Sequence, residues 1–378
     1  MTKRVSHQTV SLQATAFREP RVAVDASLKT HVPGLDELRG LSVIWVLICH
    51  STGLTTWMPT AFASYGLHGV ILFFLVSGYL ITRILLESKE RSDYFSRFYV
   101  NRLFRIWPLM LLALAVSVAV WPSHARGILY NLLLVNNYAY AMAMDLPVRT
   151  DVMWSLAIEQ QFYLFWPVAV WLVSRQALLW MTSAIVLTGF GVDAGLLPAG
   201  GIKIIHATTQ GAMQYVAMGS LMAFGREGLR YLLGAWGAFA LWWFVQAGSD
   251  AIQEFRWIGF CLTVGVTMVV YQTIHRRPFI TSRYLALAGE RCYGLYLIHF
   301  FIAAFAFKTI GQDAWIAWTT YLVLSFLLAA LSFRYFEQPV QRLRTYFHDD
   351  ARLRVGLFAS IGFMMFVNVA YLIIKSRL

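Results

Sequence analysis

From Gly40 to Thr82 the chain carries no Asp, Glu, Lys or Arg. A membrane-spanning helix needs about 20 mostly apolar residues. That stretch is too long for one span, and STGLTTWMPT at residues 51–60 interrupts it, so it reads as two helices joined by a loop. Inside a bilayer every backbone N–H and C=O must find a partner within the protein, which a helix achieves by itself. Similar apolar runs recur near 105–121, 154–174, 177–197, 208–225, 229–247, 256–274, 292–309, 314–334 and 355–374, which makes eleven spans. The expected fold class is an all-α, polytopic transmembrane helical bundle. The segment 127–144 is also uncharged, but NNYAYAMAM is too polar and short for a span and reads as an external or partly re-entrant stretch.

Composition agrees. Only 13% of residues are charged, about half the share in a soluble domain, and the 14 Trp residues suit the membrane interface. The net charge of +12 would suit nucleic acid. The basic residues, however, cluster in short loops, as the cytoplasmic face of a membrane protein requires, and nucleic acid is excluded as a partner. Lys89, Arg91, Arg97, Arg102 and Arg105 follow the second span, Arg276, Arg277, Arg283 and Arg291 precede the ninth, and Arg342, Arg344, Arg352 and Arg354 follow the tenth. Eleven spans put all of these on one side with the N-terminus, so the N-terminus is expected in the cytoplasm and the C-terminus outside.

Residues 1–36 are polar and lack the apolar core of a signal peptide, so a disordered cytoplasmic leader is expected there. A transmembrane domain at 37–345 and an additional C-terminal helix within 346–378 complete the division. Cys49, Cys261 and Cys292 fall in or beside apolar spans without metal-ligand spacing, and read as buried packing residues with no metal site. No repeat with a period of 20–50 residues is present, which leaves solenoids out.

An ionisable group inside a span is costly and is a functional candidate by default. In RGLSVIWVLICH, Arg39 and His50 are eleven residues apart. That spacing is about three helical turns, or roughly 16–17 Å of rise, so both lie on one face. The alternative is a snorkelling Arg and a His bonded to a neighbouring helix. Arg102 and Arg105 in NRLFRIWP share a face at i and i+3. Such forks bind phosphate in bidentate fashion, or merely set topology. Glu159 in WSLAIEQQFYLFWP stands about one and a half turns below Trp154, which opens that span on the outer side, with Gln160, Gln161 and Tyr163 nearby. It could be a base, an orienter of an acceptor hydroxyl or a structural ion-pair partner. Ser77 and Gly78 in ILFFLVSGYLIT form a small-residue notch for a helix or a ligand. His299 in CYGLYLIHF is a second in-span histidine, either a satisfied core imidazole or part of a passage.

Together with RYFEQP at 334–339, these motifs resemble the membrane-bound acyltransferase-3 family, in the family's order, over residues 35 to about 342. The resemblance implies an acyl-coenzyme A dependent O-acyltransferase of the bacterial inner membrane, moving an acyl group (acetyl above all) to a hydroxyl outside. The acceptor would be a cell-surface saccharide or a macrolide-like molecule, and membrane lipid surrounds the bundle. Arg39, Arg102 and Arg105 would hold the nucleotide phosphates, and the pantetheine arm would pass Ser77, Gly78 and His299 to reach His50. Trp154, Gln160 and Tyr163 would meet the acceptor near Glu159. A sugar hydroxyl is a poor nucleophile, and a neutral imidazole at His50 can take its proton during attack on the thioester. Two departures from the common plan stand out: a span at 355–374 beyond the ten-helix core, and no appended hydrolase-like domain, so a second transfer step would need another protein. A covalent route through Cys49 is the minor mechanism, since it points about 100° away from His50 on a helix. The rival function is a secondary transporter, which would show internal repeats or paired broken helices; none is visible in the sequence.

Overall fold

The computed structural model describes residues 32–52, 65–122, 127–142, 150–193, 207–246, 251–311 and 315–349, with 144, 146 and 362 besides. Pro33–Leu378 forms one compact unit. The described residues are helical with connecting turns and contain no strand. In order the helices are α1 Leu35–Thr52, α2 Gly66–Ser88, α3 Tyr94–Val120, α4 Ile128–Leu132, α5 Asn136–Ala141, α6 Met153–Leu172, α7 Arg175–Asp193, α8 Thr209–Met222 and α9 Arg226–Gln246. Then come α10 Ala251–His275, α11 Arg283–Glu290, α12 Cys292–Ile310, α13 Trp315–Ser332, a π-helical turn Phe333–Glu337, α14 Gln338–Arg342 and α15 Arg344–Asp349.

Each expected span as far as residue 334 falls on a helix. Among the described residues five helical stretches are long and apolar enough to cross a membrane: Gly66–Ser88, Tyr94–Val120, Arg175–Asp193, Cys292–Ile310 and Trp315–Phe347. Outward-facing Trp171, Trp180, Leu241, Trp315 and Ile316 are exposed, as suits a bundle whose solvent is lipid. The protein is a multi-pass membrane protein. The expected leader at 1–36, apart from residues 32–36, and the span at 355–374, Gly362 apart, lie outside the described residues. Segment 127–144 holds two short helices, and the eight-residue α11, which periodicity did not reveal, precedes α12.

Two close helix crossings organise the interior, both made by glycine. A Cβ on Gly40 would stand 2.0 Å from Leu285 O, and one on Gly289 would stand 1.8 Å from Asp36 O, so α1 and α11 touch backbone to backbone. The same reciprocity joins α2 to α8: a Cβ on Gly78 would stand 2.0 Å from Val216 O, and one on Gly219 2.1 Å from Leu75 O. Without a hydrophobic drive between helices in lipid, small residues that allow such approach set the packing. Polar caps anchor both partners, Thr208 accepting from Gly211 N at the start of α8 and Ser282 from Leu285 N at the start of α11.

Prolines shape two further helices. Pro108 in α3 and Pro167 in α6 each remove a backbone donor and loosen nearby carbonyls. Tyrosine hydroxyls fill in beside them: Tyr99 donates to Leu164 O at 2.9 Å, Tyr94 to Pro167 O at 3.0 Å and Tyr293 to Ile106 O at 2.5 Å. Cys49 and Cys292 are buried as expected, whereas Cys261 is exposed. It lies on the outer face of α10, where a thiol in lipid needs no cover.

Candidate active site

The last turns of α1 are held from α13. Tyr321 donates to Leu47 O at 3.0 Å, and Trp318 Nε1 donates to Ser51 Oγ at 3.1 Å while that hydroxyl bonds Ile48 O. His50 is thereby fixed opposite α12. Its Nδ1 lies 3.0 Å from His299 Nε2, and the two rings are within 4° of parallel with centroids 5.2 Å apart. That spacing is about one hydrogen bond plus a ring radius at each end, so the rings meet edge to edge in one plane, not face to face. His299 is fully buried and His50 is half-buried. Phe300 sets its edge against both rings, 4.8 Å from each. On the far side of His299, Nδ1 reaches Tyr296 O at 2.8 Å and Leu295 O at 3.2 Å.

Along α1 the stripe Arg39, Val43, Val46 and His50 runs at spacings of four, three and four, one face of the helix. A narrow, mostly apolar cleft lies against the middle of this stripe. Its walls are Ser42, Val43 and Val46 of α1, Val70, Phe73 and Phe74 of α2, Ser155, Leu156 and Glu159 of α6, and Cys292, Tyr293 and Tyr296 of α12. Tyr296 shares a short hydroxyl–hydroxyl bond of 2.6 Å with Ser155. Sequence reasoning missed Ser155, Tyr293 and Tyr296. The one available signal was that Tyr296 and His299 stand three apart on α12 and must share a face.

At the other end of the stripe the arginines gather. Arg102 lies within electrostatic reach of Arg105, Glu159 and Arg39, and its guanidinium stands 5.2 Å from the centre of the Tyr163 ring and 5.7 Å from that of Phe98. Among the described residues no carboxylate forms an ion pair with Arg102 or Arg105. Arg39 makes a long 3.4 Å contact to Asp36, and its Nε has no hydrogen-bond partner. Three guanidiniums within electrostatic reach of one another have the chemistry to bind an anion.

Glu159 belongs to that group. As the spacing implies, it lies one and a half turns, about 7–8 Å, along α6 from Trp154. There it accepts a short hydrogen bond from Tyr163 and lines the cavity. Trp154 instead stacks on Tyr140 of α5 at 6.1 Å and takes Phe74 edge-on at 6.4 Å. Gln160 points away towards α3, its Nε2 3.6 Å from Met110 Sδ. Ser77 is buried, and the notch at Gly78 is filled by the α8 backbone, with Ser220 Oγ 3.4 Å from Gly78 O. Of the two readings of that notch, the structure realises helix packing. Glu337, from RYFEQP, is buried within reach of Arg105 and accepts from Ser332 at 3.2 Å. The π-helical turn that brings it inward ends two residues before Pro339, whose missing N–H disturbs the ladder there.

The sequence model of a family described as an acyltransferase domain (Acyl_transf_3) matches residues 32–334. The peptidoglycan O-acetyltransferase OatA of Listeria monocytogenes is 27% identical across 83% of this chain and 56% of its own length. A putative O-acetyltransferase of Staphylococcus aureus is 24% identical across 82% of this chain and 58% of its own length. The putative peptidoglycan O-acetyltransferase YrhL of Bacillus subtilis is 26% identical across 82% and 55%. The chain thus spans little more than half the length of these relatives. No solved structure matches it.

Proposed function

The chain belongs to the acyltransferase-3 family, and on that premise we propose that it transfers an acyl group, acetyl first among candidates, from cytoplasmic acyl-coenzyme A to a hydroxyl of a polymer outside the bacterial inner membrane. Peptidoglycan is the acceptor class named for two of its relatives and is the acceptor to try first. One observation carries this reading: a single face of α1 runs from Arg39 past a narrow apolar cleft to His50. A nucleotide-bearing thioester has that shape, with anionic phosphates at one end, a slender pantetheine arm and a reactive carbonyl at the other. Arg39, Arg102 and Arg105 hold the phosphates, the arm lies in the cavity, and the thioester meets His50. The basic loops support the arginine end and the N-terminus on the cytoplasmic side.

His50 takes the acceptor's hydroxyl proton as the oxygen attacks the thioester carbonyl. The C–S bond breaks, and the departing thiolate recovers the proton from the imidazolium, so the base returns neutral. Glu159, tied to Tyr163 and beside the arginines, shapes the donor end and is not a second base at the acceptor.

The test is thermal melting of the detergent-purified protein with acetyl-coenzyme A, followed by acetyl transfer to peptidoglycan fragments in proteoliposomes. A ligand that binds only the folded state raises the melting temperature. A shift with acetyl-coenzyme A, and transfer abolished by His50→Ala with the shift retained, is expected. Absence of any shift in a folded protein overturns the donor assignment, and full transfer by His50→Ala overturns the base.

A further inference from the structure

A neutral imidazole offers one lone pair, and which nitrogen carries it decides whether a histidine can act as a base where it sits. The partners of the His50–His299 pair settle this in sequence, starting from the atoms whose roles are not negotiable. Tyr296 O and Leu295 O are carbonyls and only accept, so His299 Nδ1, at 2.8 and 3.2 Å from them, carries a hydrogen. With Nδ1 protonated, neutral His299 keeps its lone pair on Nε2. That atom lies 3.0 Å from His50 Nδ1, in the common plane of the two rings, so His50 Nδ1 must donate. Neutral His50 is left with its lone pair on Nε2, the nitrogen facing away from His299.

We propose that His299 is a positioning residue that sets His50 in its Nδ1–H tautomer and aims Nε2 at the acceptor hydroxyl. This rests on the reading of His50 as the base. The arrangement has the logic of a base oriented by a third group, with a neutral imidazole where a carboxylate would be more usual. In the middle of a bilayer this difference matters, because a lone carboxylate there carries a desolvation cost that an imidazole avoids. His299 is anchored by its own helix, since both carbonyls it bonds are one turn back on α12. Its orientation therefore does not depend on substrate. Phe300 against both rings keeps them coplanar.

The proton inventory closes. The acceptor O–H gives its proton to His50 Nε2, and the resulting imidazolium still donates through Nδ1 to His299 Nε2, now as a charge-assisted bond. When the C–S bond breaks, the thiolate takes the proton from His50 Nε2, and the tautomer imposed by His299 is restored without rotation of either ring.

The experiment pairs a structural and a kinetic measurement on the full chain in detergent. ¹⁵N NMR of protein labelled at histidine reports which nitrogen is protonated. Wild type is expected to show His50 as the Nδ1–H form, assigned by its loss in His50→Ala, and His299→Ala is expected to shift it towards the Nε2–H form. In kinetics, His299→Ala should lower kcat by about 10²- to 10⁴-fold, the scale seen when an orienting partner of a catalytic histidine is altered, with the KM for acetyl-coenzyme A unchanged. His299→Gln, whose carbonyl oxygen stands near the place of Nε2, should recover at least tenfold of that loss. An Nε2–H form in wild type, full kcat in His299→Ala, or a Gln variant no better than Ala overturns the proposal. Unchanged melting shifts with acetyl-coenzyme A show that both variants are folded. The NMR arm needs no turnover, so failure of the base assignment, read from His50→Ala, stays separate from failure of the tautomer assignment.

Discussion

Arg102 of α3 sets its guanidinium 5.2 Å from the centre of the Tyr163 ring, and the hydroxyl of that tyrosine is given to Glu159 one turn back on α6. The ring thus stands between a cation and a carboxylate that are not in direct contact. Its face attracts the guanidinium, and its hydroxyl occupies the carboxylate that would otherwise pair with it. The effect is to leave the positive charge available to an incoming anion.

It follows that Arg102→Gln should raise the KM for acetyl-coenzyme A about tenfold or more and leave kcat within a factor of about two, since it removes ground-state binding alone. Arg102→Lys should recover part of the loss, because a point charge replaces a fork that also rests on an aromatic face. Steady-state kinetics across donor concentrations decide it. An unchanged KM in Arg102→Gln reassigns the pair Arg102 and Arg105 to topology.

The glycine crossings predict where the bundle breaks. Gly78→Ala would place a methyl 2.0 Å from Val216 O, a backbone atom that cannot swing aside. Forcing α2 and α8 apart should cost about 1–3 kcal/mol, seen as a fall in melting temperature without ligand. Gly234→Ala, where nothing lies within 4 Å, is the control and should leave the melting temperature unchanged or slightly raised.

These crossings also mark what could be read from the chain. The apolar runs gave the positions of the helices, because a span cannot be hidden in a sequence. Arg39 and His50 could be placed on one face, because the eleven residues between them lie in a single helix. What the sequence withheld was contact between helices. Nothing near residue 78 says that Val216 will face it, and nothing near Glu159 says that α3 will bring Arg102 alongside. His299 was visible as an in-span histidine, but its partner stands 249 residues earlier in the chain.

A second interior prediction concerns three side chains that close a ring. Gln161 Nε2 donates to Asn137 Oδ1 at 3.1 Å, Asn137 Nδ2 to Thr209 Oγ1 at 3.0 Å, and Thr209 Oγ1 to Gln161 Oε1 at 2.5 Å. Gln161 also bonds the carbonyl of Leu134, which sits at φ +60° between α4 and α5. The short segment expected to be external or partly re-entrant is therefore held by α6 and α8. Gln161→Leu leaves Asn137 Oδ1 and Leu134 O buried without their donor and should cost about 1–3 kcal/mol for each group left unpaired. Amide exchange should rise in residues 128–141. Exchange that stays at the wild-type level would mean that backbone packing alone holds the segment.

At the membrane surface, Asp93 stands between α2 and α3 with Arg91 at 2.8 Å and Arg97 at 3.6 Å. The Arg91 guanidinium holds its carboxyl below the usual range, against a smaller opposing effect of burial. A depressed carboxyl contributes stability above its unfolded pKa of about 4 and loses it as pH falls through the lower folded value. Water screens this pair, so its worth is a few tenths of a kcal/mol. Asp93→Asn should melt slightly below wild type at pH 7, and the gap should close in acid. A gap that is constant from pH 7 to pH 3 would mean the side chain acts by shape and not by charge.

The cavity supplies the last prediction. If it carries the thioester arm, filling it must block the donor without touching either end. Val70 of α2 lines it and takes no part in a glycine crossing or in the histidine pair. Val70→Phe adds a ring to a narrow cleft, so overpacking of about 1–3 kcal/mol should lower the melting temperature without ligand by a few degrees while the protein stays folded. Acetyl-coenzyme A should then no longer raise it, and transfer should fall at least a hundredfold although His50 and the arginines are intact. An adenine nucleotide carrying the same phosphates but no pantetheine arm should still shift the melting temperature, because its site lies at the arginine end alone. Loss of both shifts would mean the substitution has disturbed the arginine cluster. Retention of both, with normal transfer, would place the passage elsewhere between α1 and its neighbours.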